Sequence, residues 1–278
     1  MESVEGWVQP TTAVMSYALL RHQAASGISG NVCEIGVHHG KYFIGLCTAL
    51  LANELGIAVD LFEAQAENVD KSGHGNRQAF DTHVARFLNP SRIVAIQGNS
   101  TRMSAGDITK HGSVRFFSVD GGHTEAITEN DLHLAERAIA DGGIVAVDDI
   151  ISYYWTGVVG GVSRYKANRG SLVGFAMIPN KLLMCAPEYA AQYRSYLRSA
   201  FVGGLTRSDA EFLGDQVEIY LPLPSEELEM WAKPAKADAD IAAENLVLKQ
   251  ELERVLASKR YRFGARVADV YNRVLGRG

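Results

Sequence analysis

Cysteine is scarce in this chain. Of 278 residues only Cys33, Cys47 and Cys185 are cysteine, widely spaced and flanked by apolar residues such as Val32, Leu46 and Met184. That favours buried free thiols in a reducing compartment over a redox or zinc role. Long apolar runs are missing too, and the amino terminus, Met1-Glu2-Ser3-Val4-Glu5, is acidic. Neither a signal peptide nor a transmembrane helix is expected, so the location read from the sequence is cytoplasmic. No charge of one sign dominates: 27 Lys and Arg against 32 Asp and Glu leave −5, which gives no reason to expect nucleic acid as a partner. Proline is sparse, with seven residues in all. Pro222, Pro224 and Pro234 fall in one stretch of charged and small residues, so 222–240 reads as a linker between a compact domain at 1–221 and a tail at 241–278.

What is present from about residue 11 to 186 is an alternation of short apolar runs with amphipathic stretches, the pattern of a mostly parallel sheet covered by helices. Strands are expected at 31–37, 56–62, 92–97, 114–120 and 143–149, and helices at 11–26, 40–55, 76–88 and 125–140. Residues 175–178 and 182–185 are separated only by Pro179-Asn180-Lys181, a connection short enough only for antiparallel neighbours. A helix over 188–201 and an edge strand at 216–221 complete an α/β, doubly wound, Rossmann-like fold with an antiparallel final hairpin.

In the tail, Ile241, Leu248 and Val255 share one heptad position and Asn245 and Leu252 the other, the pattern of a short coiled coil that would make a homo-oligomer. Beyond it Lys259, Arg260, Arg262, Arg266, Arg273 and Arg277 alternate with Tyr261, Phe263 and Val267. Such a basic amphipathic helix could rest peripherally on an anionic membrane face.

Chemistry is expected where the strands end, because an open parallel sheet binds ligands beyond the carboxyl ends of its strands. The first strand runs into Glu34-Ile35-Gly36-Val37-His38-His39-Gly40. Glycine at 36 and 40 would let the backbone turn tightly and a ligand approach closely. The spacing lacks the first glycine of a dinucleotide fingerprint, with Glu34 in its place. An acid there would repel a pyrophosphate and suit a ligand with an ammonium group, such as S-adenosylmethionine. Asp60, ending the second strand, could take the ribose hydroxyls, with Glu63 as the fallback.

Two further strands end in acids, Asp120 in Ser118-Val119-Asp120-Gly121-Gly122-His123 and the pair Asp148-Asp149. Three carboxylates converging in a partly dry cleft would raise one another's pKa unless a cation balanced them, and a hard divalent ion such as Mg²⁺ does so best. His123 suits a general base that takes a proton from an acceptor hydroxyl, with Asp120 as the rival base. The aromatic stretch Ile151 to Val158 suits stacking on a sugar ring. The polar loop 68–76 could close over a cofactor.

The segments EIGVHHGKY, DLFEAQAENVDKSGHGN, FFSVDGGHTEAITENDLHLAERAIADGGIVAVDDI and PNKLLM together resemble the class I S-adenosylmethionine-dependent methyltransferases. Within them they resemble the branch of metal-dependent macrolide sugar O-methyltransferases and cephalosporin hydroxylase-like proteins. The resemblance implies a seven-stranded sheet, Glu34, Gly36 and Gly40 beside the methionine part of the cofactor, Asp60 on the ribose, and Asn99 and Ser100 near the adenine. It implies Asp120, Asp148 and Asp149 as metal ligands, and a sugar or glycosylated small molecule as acceptor. A nicotinamide-dependent oxidoreductase and a non-catalytic scaffold on the same fold are the alternatives.

Overall fold

A computed structural model describes residues 3–232. The coiled-coil and basic-tail readings at 241–278 lie outside the described residues. Among those described, no helix is long and apolar enough to cross a membrane, and all three cysteines are buried and unpaired.

Five strands, β1 (Asn31–Ile35), β2 (Gly56–Asp60), β3 (Ile93–Gln97), β4 (Val114–Val119) and β5 (Ile139–Val147), lie parallel in the order β3-β2-β1-β4-β5. They form because β-branched and aromatic residues fill them, and β1 and β4 are buried along their whole length, as strands covered on both faces must be. Helix α1 (Pro10–Ala25) precedes β1, and α2 (Lys41–Cys47), α3 (Arg77–Phe87), α4 (Ala105–Thr109) and α5 (Glu125–Ala138) fill the crossovers. After β1 the chain steps to β2 and β3 on one side, then returns to β4 on the other. The strand order therefore reverses between β1 and β4, and a crevice opens at their carboxyl ends.

Beyond β5 come α6 (Gly157–Ala167), β6 (Val173–Ile178), β7 (Lys181–Cys185), α7 (Pro187–Ala200), β8 (Leu205–Phe212) and β9 (Asp215–Tyr220). The β6–β7 hairpin is antiparallel as expected, with Asn180 in the left-handed conformation at its turn. The sheet has nine strands, in the order β3-β2-β1-β4-β5-β7-β6-β9-β8, where seven were expected. The strand expected at the edge is interior, since β9 pairs with both β6 and β8. The true edge is β8, whose sequence Leu-Thr-Arg-Ser-Asp-Ala-Glu-Phe is polar because most of it faces solvent. Charge on an exposed edge guards against pairing with other chains, and it also hides the strand from a hydrophobicity reading.

Two helices differ from expectation. Helix α2 stops at Cys47, short of residue 55, and the chain turns through Leu50 to Asn53 before β2. Helix α6 was not foreseen, because Gly157, Gly160 and Gly161 are poor helix formers. They are needed for contact with the start of α5: a Cβ at Gly157 would lie 2.3 Å from the His123 carbonyl, and one at Gly161 2.5 Å from Thr128 Cβ. A last helix, α8 (Ser225–Ala232), occupies part of the segment read as linker.

Candidate active site

Gly36 leaves β1 with φ +86°, and a Cβ there would fall 1.8 Å from the Asp120 carbonyl oxygen. The glycine is thus required by the backbone of the neighbouring strand end, which closes the floor of the crevice. Its carbonyl-side neighbours continue that floor: Gly121 packs where a Cβ would meet Asp131 Oδ2 at 2.7 Å. Above this floor is a cleft of about 850 Å³ that reaches from Asp60 and Asn99 on one side to Asp148, Asp149 and Lys181 on the other. That lies within the usual range of ligand pockets, toward its upper end.

The expected cofactor residues divide into two groups. Gly36, Asp60, Asn99 and Ser100 line the cleft. Asp60 is fixed by two backbone donors, His38 N–H to Oδ2 at 2.8 Å and Phe62 N–H to Oδ1 at 2.6 Å, and burial holds its pKa above the ordinary carboxylate value. Asn99 Nδ2 donates to Glu67 at 3.0 Å, and its Oδ1 caps the following turn. Glu34, Gly40 and Glu63 do not line the cleft. Glu34 is 1% exposed and accepts from Ser118 Oγ at 3.0 Å. It sits beneath the loop, where burial pushes its pKa up to about 8 against the opposing pull of Lys181. Gly40, at φ +91°, starts α2 against Phe80. Glu63 accepts the Arg77 backbone N–H at 2.8 Å, at the head of α3.

The acids and the histidine of DGGH and VDD meet at the other end, in an order the sequence did not foretell. Asp148 faces Lys181, whose Nζ is 2.6 Å from its Oδ2. Its Oδ1 accepts from the Asp149 N–H at 2.8 Å and from Asn180 Nδ2 at 3.0 Å. Asp120 lies beside Asp148, and burial together with that neighbour raises its pKa well above the ordinary carboxylate range. Asp149, in a left-handed conformation at φ +56°, turns its Oδ2 to His123 Nε2 at 3.1 Å. On its other side His123 is held by Asp70, which accepts from Nδ1 at 2.9 Å and from the backbone N–H at 2.5 Å. Trp155 stacks on the imidazole at 4.2 Å between centroids and 17° between planes. Burial alone would lower the His123 pKa; the hydrogen bonds to Asp149 and Asp70 outweigh it and raise the value.

The proposed metal set can be tested on this arrangement. The oxygens and nitrogen that converge within 4.8 Å belong to Asp120, His123 and Asp149, whereas Asp148 is turned to an ammonium. Two unit charges 4 Å apart near a protein surface interact by about 4 kcal/mol, and a doubly charged ion would feel about twice that repulsion. A divalent ion seated on Asp148 would have to displace Lys181. The carboxylate partners of His123 already engage both of its ring nitrogens. The three-carboxylate donor set therefore does not fit a divalent ion as the side chains stand.

Three contributors were missed. Asp70 was read only as part of a polar loop, although it bonds to Ser72 N and Oγ as well as His123; an Asx-type turn residue in a loop gives no hint of a partner 53 positions away. Lys181 and Asn180 were read as a turn. A lysine opening an otherwise apolar strand was the available signal, since a buried lysine needs an anionic partner. The amino-terminal segment was also unforeseen: Gly6, Trp7, Val8 and Gln9 line the cleft, with Trp7 5.5 Å from the His38 ring.

Residues 33–150 match the family model described as a methyltransferase domain. No curated protein gives a significant match to the sequence. Among solved structures, the O-methyltransferase NovP superposes with a TM-score of 0.50 at 13% identity, over 63% of this chain and 78% of that one. The calicheamicin methyltransferase CalS11 gives 0.48 at 15% identity, over 62% and 78%. The O-methyltransferase from Bacillus cereus in complex with SAH gives 0.48 at 15% identity, over 64% and 81%. At these identities the likeness is one of fold.

Proposed function

We propose that the protein is a class I, S-adenosylmethionine-dependent methyltransferase, in keeping with the match of residues 33–150 to a methyltransferase domain, and that it transfers a methyl group to a hydroxyl oxygen of a sugar or glycosylated small molecule. The observation that carries the reading is the crevice at the reversal point between β1 and β4. There Gly36 meets Asp120 in backbone contact, Asp60 stands on the next strand, and one cleft joins both to His123. The cofactor would occupy the half bounded by Gly36, Asp60, Asn99 and Ser100, and its sulfonium would supply the methyl group.

At the other half the chain's own residues manage the proton. A hydroxyl is a weak nucleophile until its proton leaves, and a positioned base contributes about 10²- to 10⁴-fold. His123 presents Nε2 beside Asp149, while Asp70 commits Nδ1, so once the imidazole is neutral Nε2 is the nitrogen that would take the proton. Asp120 stands next in line, with a pKa raised by burial and by Asp148. The acceptor would lie against aromatic surface: Trp7, 78% exposed, and Trp155 line the cleft, which suits the apolar face of a sugar ring, whereas Tyr153 and Tyr154 do not line it.

Isothermal titration with S-adenosylhomocysteine tests the reading, since a complex is expected, weakened by Asp60→Ala. Binding of NADH with no binding of S-adenosylhomocysteine would overturn it in favour of an oxidoreductase. Release of S-adenosylhomocysteine on incubation with nucleotide sugars and glycosylated small molecules then tests the acceptor class.

A further inference from the structure

The cleft contains a buried cation that the reaction described above does not use. Lys181 begins β7 directly after the Pro179-Asn180 turn, and its side chain is 3% exposed. The ammonium lies 2.6 Å from Asp148 Oδ2 and 4.3 Å from the centre of the Tyr42 ring. Tyr42 is itself held by Ser16, hydroxyl to hydroxyl at 2.6 Å, and Asn180 ties Asp148 to Asp149 with bonds of 3.0 and 2.9 Å. Groups from α1, α2, β5 and the β6–β7 hairpin thus build one pocket for one positive charge.

We infer that Lys181 is the resident cation of the Asp120–Asp148 pair, standing where a divalent metal would otherwise stand, so that the site works without metal. Lys181 is then a positioning residue. It fixes Asp148 and, through Asn180, the orientation of Asp149 toward His123. Like charges exclude a second cation from the same carboxylates, and a buried ammonium on a covalent tether does not exchange with solvent. The charges around it agree: the attraction of Asp148 and Asp120 outweighs burial and keeps the lysine protonated. The inference rests on the methyltransferase reading only for what the site is used for.

The test uses Mn²⁺ as the probe, followed by loss of the free-ion electron paramagnetic resonance signal, with the full-length protein. Wild type is expected to leave the free Mn²⁺ signal undiminished and to bind S-adenosylhomocysteine with an affinity that EDTA changes by less than about twofold. Lys181→Met, close in volume, removes the charge and is expected to gain one Mn²⁺ site at least about tenfold tighter than wild type. Uptake of one Mn²⁺ by wild type that Asp148→Asn or Asp120→Asn releases would overturn the inference. Absence of any gain in folded Lys181→Met would overturn it too, because the lysine would then not be what keeps metal out. The wild-type titration decides even if that variant fails to fold. Failure of wild type to bind S-adenosylhomocysteine strikes the methyltransferase reading and leaves the Mn²⁺ result to judge the lysine.

Discussion

Replacing Asp70 by Asn removes one charge from a loop latch, and its cost should depend on pH in a defined way. Asp70 accepts four hydrogen bonds, from His123 N–H, His123 Nδ1, Ser72 N–H and Ser72 Oγ. Burial would raise its pKa, but the backbone bond from His123 and the Ser72 bonds outweigh it and hold the value at about 2. Against 3.8 for the unfolded chain, that shift corresponds to roughly 2.4 kcal/mol at 1.36 kcal/mol per unit, and solvent screening of a partly exposed group reduces it to about 1 kcal/mol. This contribution is present above pH 3.8 and disappears as pH falls through the folded value.

His123 acts in the opposite sense. Its raised pKa stabilises the fold fully below 6.5 and is lost as pH rises through the folded value. The latch is therefore strongest between about pH 4 and pH 6.5. Urea denaturation of wild type and Asp70→Asn at pH 5.5 and pH 9 should show the larger difference at pH 5.5. If the latch also closes the loop over the cofactor, opening it by about 1 kcal/mol should weaken S-adenosylhomocysteine binding by about fivefold at most. A stability difference that is flat across this range, or larger at pH 9, would refute the coupling of Asp70 to an imidazolium.

Two further outcomes follow from the floor of the cleft. Asp131 is fully buried beside Gly121, with its pKa raised by burial to about 6 from 3.8 and one oxygen without a partner. A raised acid destabilises the fold as pH rises from 3.8 through 6, by roughly 3 kcal/mol at neutral pH. Asp131→Asn should therefore raise the melting temperature at pH 7 and lose that advantage near pH 4; equal gains at both pH values would show that charge is not the cause. Gly36→Ala should cost more than about 4 kcal/mol, because its Cβ cannot occupy the space of the Asp120 carbonyl. The sequence alone suggested that glycine at 36 serves the close approach of a ligand. A soluble Gly36→Ala protein with unchanged melting temperature and weakened S-adenosylhomocysteine binding would restore that simpler view.

What the sequence determined by itself is the part of the molecule written in short-range pattern. Apolar runs of five or six residues, each ended by a glycine or an acid, located β1 to β5, and two such runs parted by a short polar turn located the β6–β7 hairpin. They placed Gly36, Asp60, Asp120, Asp148 and Asp149 at strand ends, because in a parallel sheet every strand end of one kind lies on one side. The polar edge strand β8 and the glycine-rich helix α6 escaped, since each owes its form to a neighbour: solvent along one edge of the sheet, and close contact with α5. Only the tertiary structure decided which partner each charged group at the site would take. Asp70 reaches His123 across 53 positions and Lys181 reaches Asp148 across 33, and neither distance leaves a trace in local spacing. Electrostatics in a half-dry cleft is settled by which opposite charge arrives within about 3 Å, and that depends on where a loop and a hairpin turn come to rest.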